Sequence, residues 1–202
     1  MMPAARQSLL DAAYTALARR PWSAVRMVDV AAAAGVSRQT LYNEFGGKDG
    51  LARALVRREA DGYLAGVERA LAGSADPLER LTATVEWTAA AARDSALVRA
   101  MLTGCWNERL PRPGLCTGPS CVAVPAQRRA EGSLPSPEDF VRIVRDRAVA
   151  VLAGPGATQC DGAELARSCE LVARLALSCV AAPPDEGGAE DLVRGVLSRR
   201  SA

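Results

Sequence analysis

Apolar residues recur at helical spacing along almost the whole chain, and the breaks between the runs mark the turns. Residues 4–20 form the first run, with Leu9, Leu10, Ala13 and Leu17 near a 3.6-residue period, and Pro21 and Trp22 end it. VDVAAAAG follows as a short helix closing at Gly35, a residue suited to the left-handed turn after a helix. Val36 is an apolar plug, and Ser37 offers its hydroxyl as the N-cap of the next helix. In that helix, about 100° per residue puts Leu41 and Phe45 on one side. Gln39 and Asn43 point away from them, with Thr40 and Tyr42 on the flanks. Arg38 starts near the buried edge and is long enough to swing outward. A helix, a glycine turn and a second helix make a helix-turn-helix. A fourth helix should run from Lys48 to about Leu71, with Leu51, Leu55, Tyr63 and Val67 inward. Gly62 and Gly66 lower its propensity by about 1 kcal/mol each relative to Ala, and so mark a bend or a close contact.

Beyond GSADP the pattern remains helical. Asp76 and Pro77 give a helix start, and the helix over 78–92 carries Leu81, Val85 and Trp87. A further helix is expected from about Ser95 to Arg109, carrying Leu97, Val98, Met101, Leu102 and Trp106. Residues 110–137 hold six prolines and no sustained period, which predicts a long loop. SPEDF opens the next helix, with Glu138 and Asp139 in its first turn, and this helix ends before the GPG at 154–156. Residues 161–181 and about 189–197 form the last two helices. The expected fold is all-α: an N-terminal three-helix head, residues 1–50, joined to a helical body, residues 51–202.

Composition supports helix over sheet, being 49% hydrophobic but only 4% aromatic. A net charge of +2 is too small for a protein that coats nucleic acid, yet the charge is unevenly placed. Residues 1–60 carry nine Lys/Arg against five Asp/Glu, and the remainder is slightly acidic. Lys48 is the one lysine beside 24 arginines. No stretch is long and apolar enough to span a bilayer and no signal-peptide core is present, which points to a cytoplasmic protein. With no histidine, His-containing zinc sites and His-based triads are impossible. No phosphate loop, nucleotide fingerprint or catalytic carboxylate pair appears, so an enzyme is the less favoured class. No cofactor or metal is expected. The six cysteines, with four residues between Cys116 and Cys121 in the loop, allow a redox or metal sensor as an alternative, although buried or incidental thiols are the plainer reading.

The outward face of the third helix is polar, hydrogen-bonding and free of acid. Gln and Asn pair bidentately with adenine and Arg with guanine, while Ser, Thr and Tyr suit phosphate oxygens. GVSRQTLYNEFGGKDGL closely resembles the signature of the TetR family of transcriptional regulators, and VDVAAAAG resembles that family's second helix. The resemblance is specific over about residues 8–55 and architectural beyond. It implies a homodimer on a palindromic double-stranded DNA operator, usually a repressor released by a small-molecule inducer. Carried over by position, Ser37, Thr40, Tyr42 and Lys48 would contact phosphate, and Arg38, Gln39 and Asn43 would read bases. Three positions depart from the family. Val25 stands where a capping Thr is common, so Ser23 or Arg26 must take over the phosphate contact. Glu44 replaces a common His and should turn along the helix side. Gly47 replaces a usual Ser and weakens the cap that follows.

In the body, Trp87, Leu97, Val98, Met101, Leu102 and Trp106, with Val144, Cys169 and Val172, are the candidate lining of a pocket for a lipophilic ligand. Arg99, Arg147 and Arg174 would serve an anionic group if any faces inward. The wide apolar face of the last two helices suits a dimer bundle, with Leu165, Leu171, Leu175, Cys179, Leu192 and Val196 as interface candidates. Burial of both faces inside one protomer is the alternative.

Overall fold

The computed structural model describes residues 3–112, 134–153, 159–184 and 187–200. Among them are nine α-helices and no strand. They divide into two compact units, residues 1–58 with 106–134 and residues 59–105 with 135–202.

In the first unit, α1 (Pro3–Arg19) is followed by a short 3-10 turn (Trp22–Ala24), α2 (Met27–Ala33), α3 (Arg38–Phe45) and the start of α4 (Lys48–Ala72). Leu9, Ala13, Val25, Val30, Leu41 and Leu51 are its buried centre. Burying side chains of this size contributes about 1.5–3 kcal/mol each. Gly35 adopts φ +67° in the turn between α2 and α3, a conformation costly for residues with a Cβ. The corner between α3 and α4 is tighter still. A Cβ at Gly50 would run into the carbonyl of Phe45, so α4 begins against the last turn of α3 with no room for a side chain. The loop expected at 110–137 begins inside this unit: Leu110 is buried, and the carbonyl of Arg109 accepts the Trp22 N–H at 2.8 Å. Its middle lies outside the described residues.

The second unit continues α4 to Ala72 and adds α5 (Pro77–Asp94), α6 (Ala96–Thr103), α7 (Pro137–Leu152), α8 (Gln159–Ala181) and α9 (Ala189–Arg200). Here α8 packs on α5, α6 and α7, and α9 on α5 and α8. Three of the expected helix starts carry their caps. Asp76 accepts the N–H groups of Leu78 and Glu79, Ser95 accepts that of Val98, and Ser136 and Asp139 form a reciprocal capping box. The helix expected over 95–109 is a correction. It stops at Thr103, because Gly104 takes φ +73° and donates its N–H back to Ala100. Trp106 is therefore off the helix and belongs to the first unit.

Glycine also governs the contact of α4 with α5. Gly62 faces open space, whereas a Cβ at Gly66 would overlap the indole of Trp87. That ring is held by its Nε1–H donating to the Tyr63 carbonyl at 3.0 Å, with the Arg69 guanidinium 5.5 Å above it. Gly66 is thus a close contact rather than a bend.

Candidate nucleic-acid interface

The geometry of α3 follows from its cap. Ser37 sits in extended backbone, its Oγ accepts the Thr40 N–H at 3.0 Å, and the two hydroxyls are 2.8 Å apart. This start fixes the helix phase, so that Leu41 and Phe45 are buried while Arg38, Gln39, Tyr42 and Asn43 are exposed. Tyr42 is among the few large apolar side chains left in solvent, 42% exposed. The amide of Gln39 donates to Asn43 Oδ1 at 3.0 Å, so the two outward amides are joined. Glu44 turns back as expected: it lies 3.7 Å from Arg6, whose guanidinium also stacks over Phe45 at 4.8 Å. The acid on this helix is therefore removed from its outward face.

Val25 is buried and does nothing at the surface. Neither Ser23 nor Arg26 caps α2 through its side chain. Arg26 occupies the N-cap position with its side chain in solvent and pairs with Asp29 at 3.4 Å, a carboxylate that Arg20 also reaches at 3.2 Å. Asp29 supplies the negative charge that the helix N-terminus favours. Lys48 has a second task. Its ammonium donates to the Ser23 carbonyl at 3.1 Å and lies 5.5 Å from the centre of the Trp22 ring. Partial burial pulls its pKa below the ordinary lysine value, and Asp49 opposes that shift. An ammonium has three N–H donors, so two remain for a phosphate. Lys48, Gly50 and Trp22 hold the α3 corner, a role that no spacing rule in the sequence signals.

The body candidates separate. Val144, Cys169 and Val172 line a narrow gap of about 10 Å³ with Tyr63, Thr84 and Thr88. Leu97, Val98, Met101 and Leu102 are buried along α6 without reaching it, and Trp87 is wedged on Gly66. None of the three candidate arginines lines the gap. Arg147 donates to the Leu64 carbonyl at 2.8 Å and pairs with Glu68, Arg174 pairs with Glu170, and Arg99 borders a separate crevice of about 330 Å³. Burial pushes the Tyr63 phenol up to about 12 and the Cys169 thiol up to about 11, so both are neutral near pH 7. A thiol so shifted is a poor redox sensor. Cys116 and Cys121 lie outside the described residues, and among the described residues no group of three His, Cys, Asp or Glu gathers as for a metal. No described helix is long and apolar enough to cross a membrane.

On α8 and α9, Leu165, Leu171, Leu175 and Val196 are half-buried within the protomer and Leu192 is 47% exposed. Cys179 is buried and faces the 330 Å³ crevice.

The head so described has known counterparts. Residues 9–55 match the family model of bacterial regulatory proteins, tetR family. Over 66 residues the chain is 50% identical to the HTH-type transcriptional regulator AlkX of Mycobacterium tuberculosis, a match covering 33% of this chain and 31% of that one. Over 81 residues it is 38% identical to the HTH-type transcriptional activator FasR of Mycolicibacterium smegmatis, covering 40% and 37%. These matches span about a third of either relative's length. A putative TetR-family regulator from Rhodococcus sp. superposes with a TM-score of 0.55 at 21% identity over 98% of both chains. The TetR family repressor AlkX of Dietzia sp., implicated in biodegradation of n-alkanes, does so with 0.50 at 23% identity over 96% and 94%. The class is a helix-turn-helix DNA-binding head on an all-helical body. Through that head, residues 9–55, the chain is similar to the TetR family.

Proposed function

We propose that the chain is a homodimeric transcriptional repressor that reads a palindromic operator through α3 and releases it when a small lipophilic ligand enters the body. The observation that carries the DNA reading is the outward face of α3: Arg38, Gln39, Tyr42 and Asn43 in solvent, with Glu44 drawn back to Arg6. Arg26, Ser37, Thr40 and Lys48 surround that face with phosphate-binding groups. The head spans residues 1–50 and the body 51–202. Dimerisation through α8 and α9 is supported by the exposure of Leu192 and the partial exposure of Leu165, Leu171, Leu175 and Val196. Two heads then meet major grooves about 34–36 Å apart.

The ligand reading rests on the neutral wall of the gap between α5, α7 and α8. A void of about 10 Å³ barely admits one water, so a ligand must part these helices to enter. Opening on binding is the kind of change that alters the placement of α4. A coupling of about 1–3 kcal/mol weakens operator binding by roughly 5- to 150-fold. Repression is the default sign of control, although FasR, a named activator, carries a similar head.

Selection of bound sequences from a random pool of 20-base-pair duplexes tests the core of this reading. Enrichment of an inverted repeat by a dimer is the expected result. Failure to enrich any duplex at low salt would overturn it.

A further inference from the structure

Two exposed amides one helical turn apart are ordinarily free to act separately. On α3 they are not, because Gln39 Nε2 donates to Asn43 Oδ1 at 3.0 Å. We propose that Gln39 and Asn43 form a single reading unit, in which Gln39 reads adenine and Asn43 is the positioning residue that holds its amide. This rests on the DNA-binding function proposed above.

The donor and acceptor inventory gives the assignment. A glutamine amide has two N–H donors and one oxygen. With one N–H given to Asn43, Gln39 keeps one N–H and the whole of Oε1. That edge matches the N7 acceptor and N6–H donor that adenine shows in the major groove. Asn43 has one of its two oxygen lone pairs taken by Gln39, so its edge is the more encumbered of the two for adenine. Three polar neighbours are engaged elsewhere: Ser37 and Thr40 are bonded to each other, and Glu44 is drawn to Arg6. The bond also fixes the long Gln39 side chain before DNA arrives, which lowers the cost of ordering it on binding.

Three readings of Asn43 separate cleanly. As an independent base reader, Asn43→Ala relaxes preference at a different base pair from Gln39→Ala, and the losses add. As a merely structural residue, Asn43→Ala lowers affinity for every duplex without changing preference. As the positioning residue, it relaxes preference at the same base pair as Gln39→Ala, and the double variant is no worse than the poorer single variant.

The experiment uses the full chain and duplexes enriched from the random pool, with every single-base-pair variant measured by fluorescence anisotropy. We expect both single variants to lose a preference of roughly 5- to 150-fold for adenine at one shared position. Asn43→Asp keeps an accepting oxygen, so it should retain that preference while its charge weakens all duplexes alike. Replacing that adenine by 7-deazaadenine, which lacks the N7 acceptor, should weaken the wild type and leave Gln39→Ala and Asn43→Ala unaffected. Both residues are exposed, so circular dichroism should show wild-type folding throughout. Additive losses at two base pairs, a shared position that prefers a base other than adenine, or wild-type indifference to 7-deazaadenine would each overturn the paired reader while leaving DNA binding intact. No enrichment of any duplex would instead remove the DNA-binding function and this proposal with it.

Discussion

Replacing Gly62 and Gly66 by alanine should shift stability in opposite directions, although both lie on α4 one turn apart. In a helix interior Gly→Ala is worth about 1 kcal/mol of propensity at either position. At Gly62 nothing lies within 4 Å of the added Cβ, so the gain is kept. For a chain of this size it should raise the melting temperature by roughly 2–4 °C. At Gly66 the Cβ overlaps Trp87 at Cε2, Cζ2 and Nε1. The ring must move, which breaks its 3.0 Å bond to the Tyr63 carbonyl, worth about 1 kcal/mol. Overpacking adds about 1–3 kcal/mol. After the propensity gain is credited, Gly66→Ala should destabilise by about 1–3 kcal/mol. The sign reversal is the sharper test. Trp87→Ala costs about 3–5 kcal/mol when such a ring is fully buried, and less for this half-buried one. In that background Gly66→Ala should recover about 1 kcal/mol. Thermal melts of the four variants, followed by circular dichroism, decide the matter. If Gly66→Ala were as stabilising as Gly62→Ala in the wild type, or had the same sign in both backgrounds, the wedge would not exist.

Lys48→Ala should weaken all duplexes similarly and lower the salt slope of binding by about one; an altered base preference with an unchanged slope would contradict the phosphate role. Asp139 is held at about 2, against an ordinary 3.8, by the Ser136 N–H first and by Arg142 and the Ser136 hydroxyl after it. Because its folded pKa is depressed, the stabilisation is present above about pH 4 and disappears as pH falls through about 2. The melting advantage of the wild type over Asp139→Asn should close in that window, and a pH-independent difference would refute the assignment. Leu175→Glu and Leu192→Glu should give folded monomers that no longer hold an inverted repeat, and sedimentation as an intact dimer in both variants would count against the α8–α9 interface.

The head was legible because local chemistry fixes it. Ser37 capping, the Gly35 turn and the Leu41–Phe45 spacing set which face of α3 is buried, and each is a short-range rule. Helix starts in the body were legible for the same reason, since Asp76, Ser95, Ser136 and Asp139 act within three residues of themselves. What spacing could not convey is contact between distant segments. Gly50 is tight against Phe45, the Arg109 carbonyl meets the Trp22 N–H, and Lys48 reaches Ser23. Gly104 was visible as a glycine, but the apolar run around it read as one continuous helix. Its positive φ ends α6 and leaves Trp106 off that helix.

The body's inner face also holds residues to which apolar spacing does not point. Apolar spacing on α5 picks out Leu81, Val85 and Trp87 and says nothing of its threonines. In the structure Thr82, Thr84 and Thr88 are buried, at 2%, 3% and 1% exposure, while Trp87 is only half-buried. A helical threonine can donate to the carbonyl four residues earlier, and all three do so at 2.8 Å, to Leu78, Arg80 and Thr84. Such a residue has no hydrogen left to give, so its burial costs little and its methyl packs as an apolar group. The consequence reaches the gap itself. The single hydroxyl hydrogen of Thr88 goes to Thr84, so the 3.1 Å contact between Tyr63 and Thr88 must be donated by the tyrosine. Every hydroxyl hydrogen on that wall is therefore in use, and its oxygens offer only lone pairs. A side chain's polarity in the sequence says how many hydrogen bonds it needs, whereas the helix beneath it decides whether they are already made.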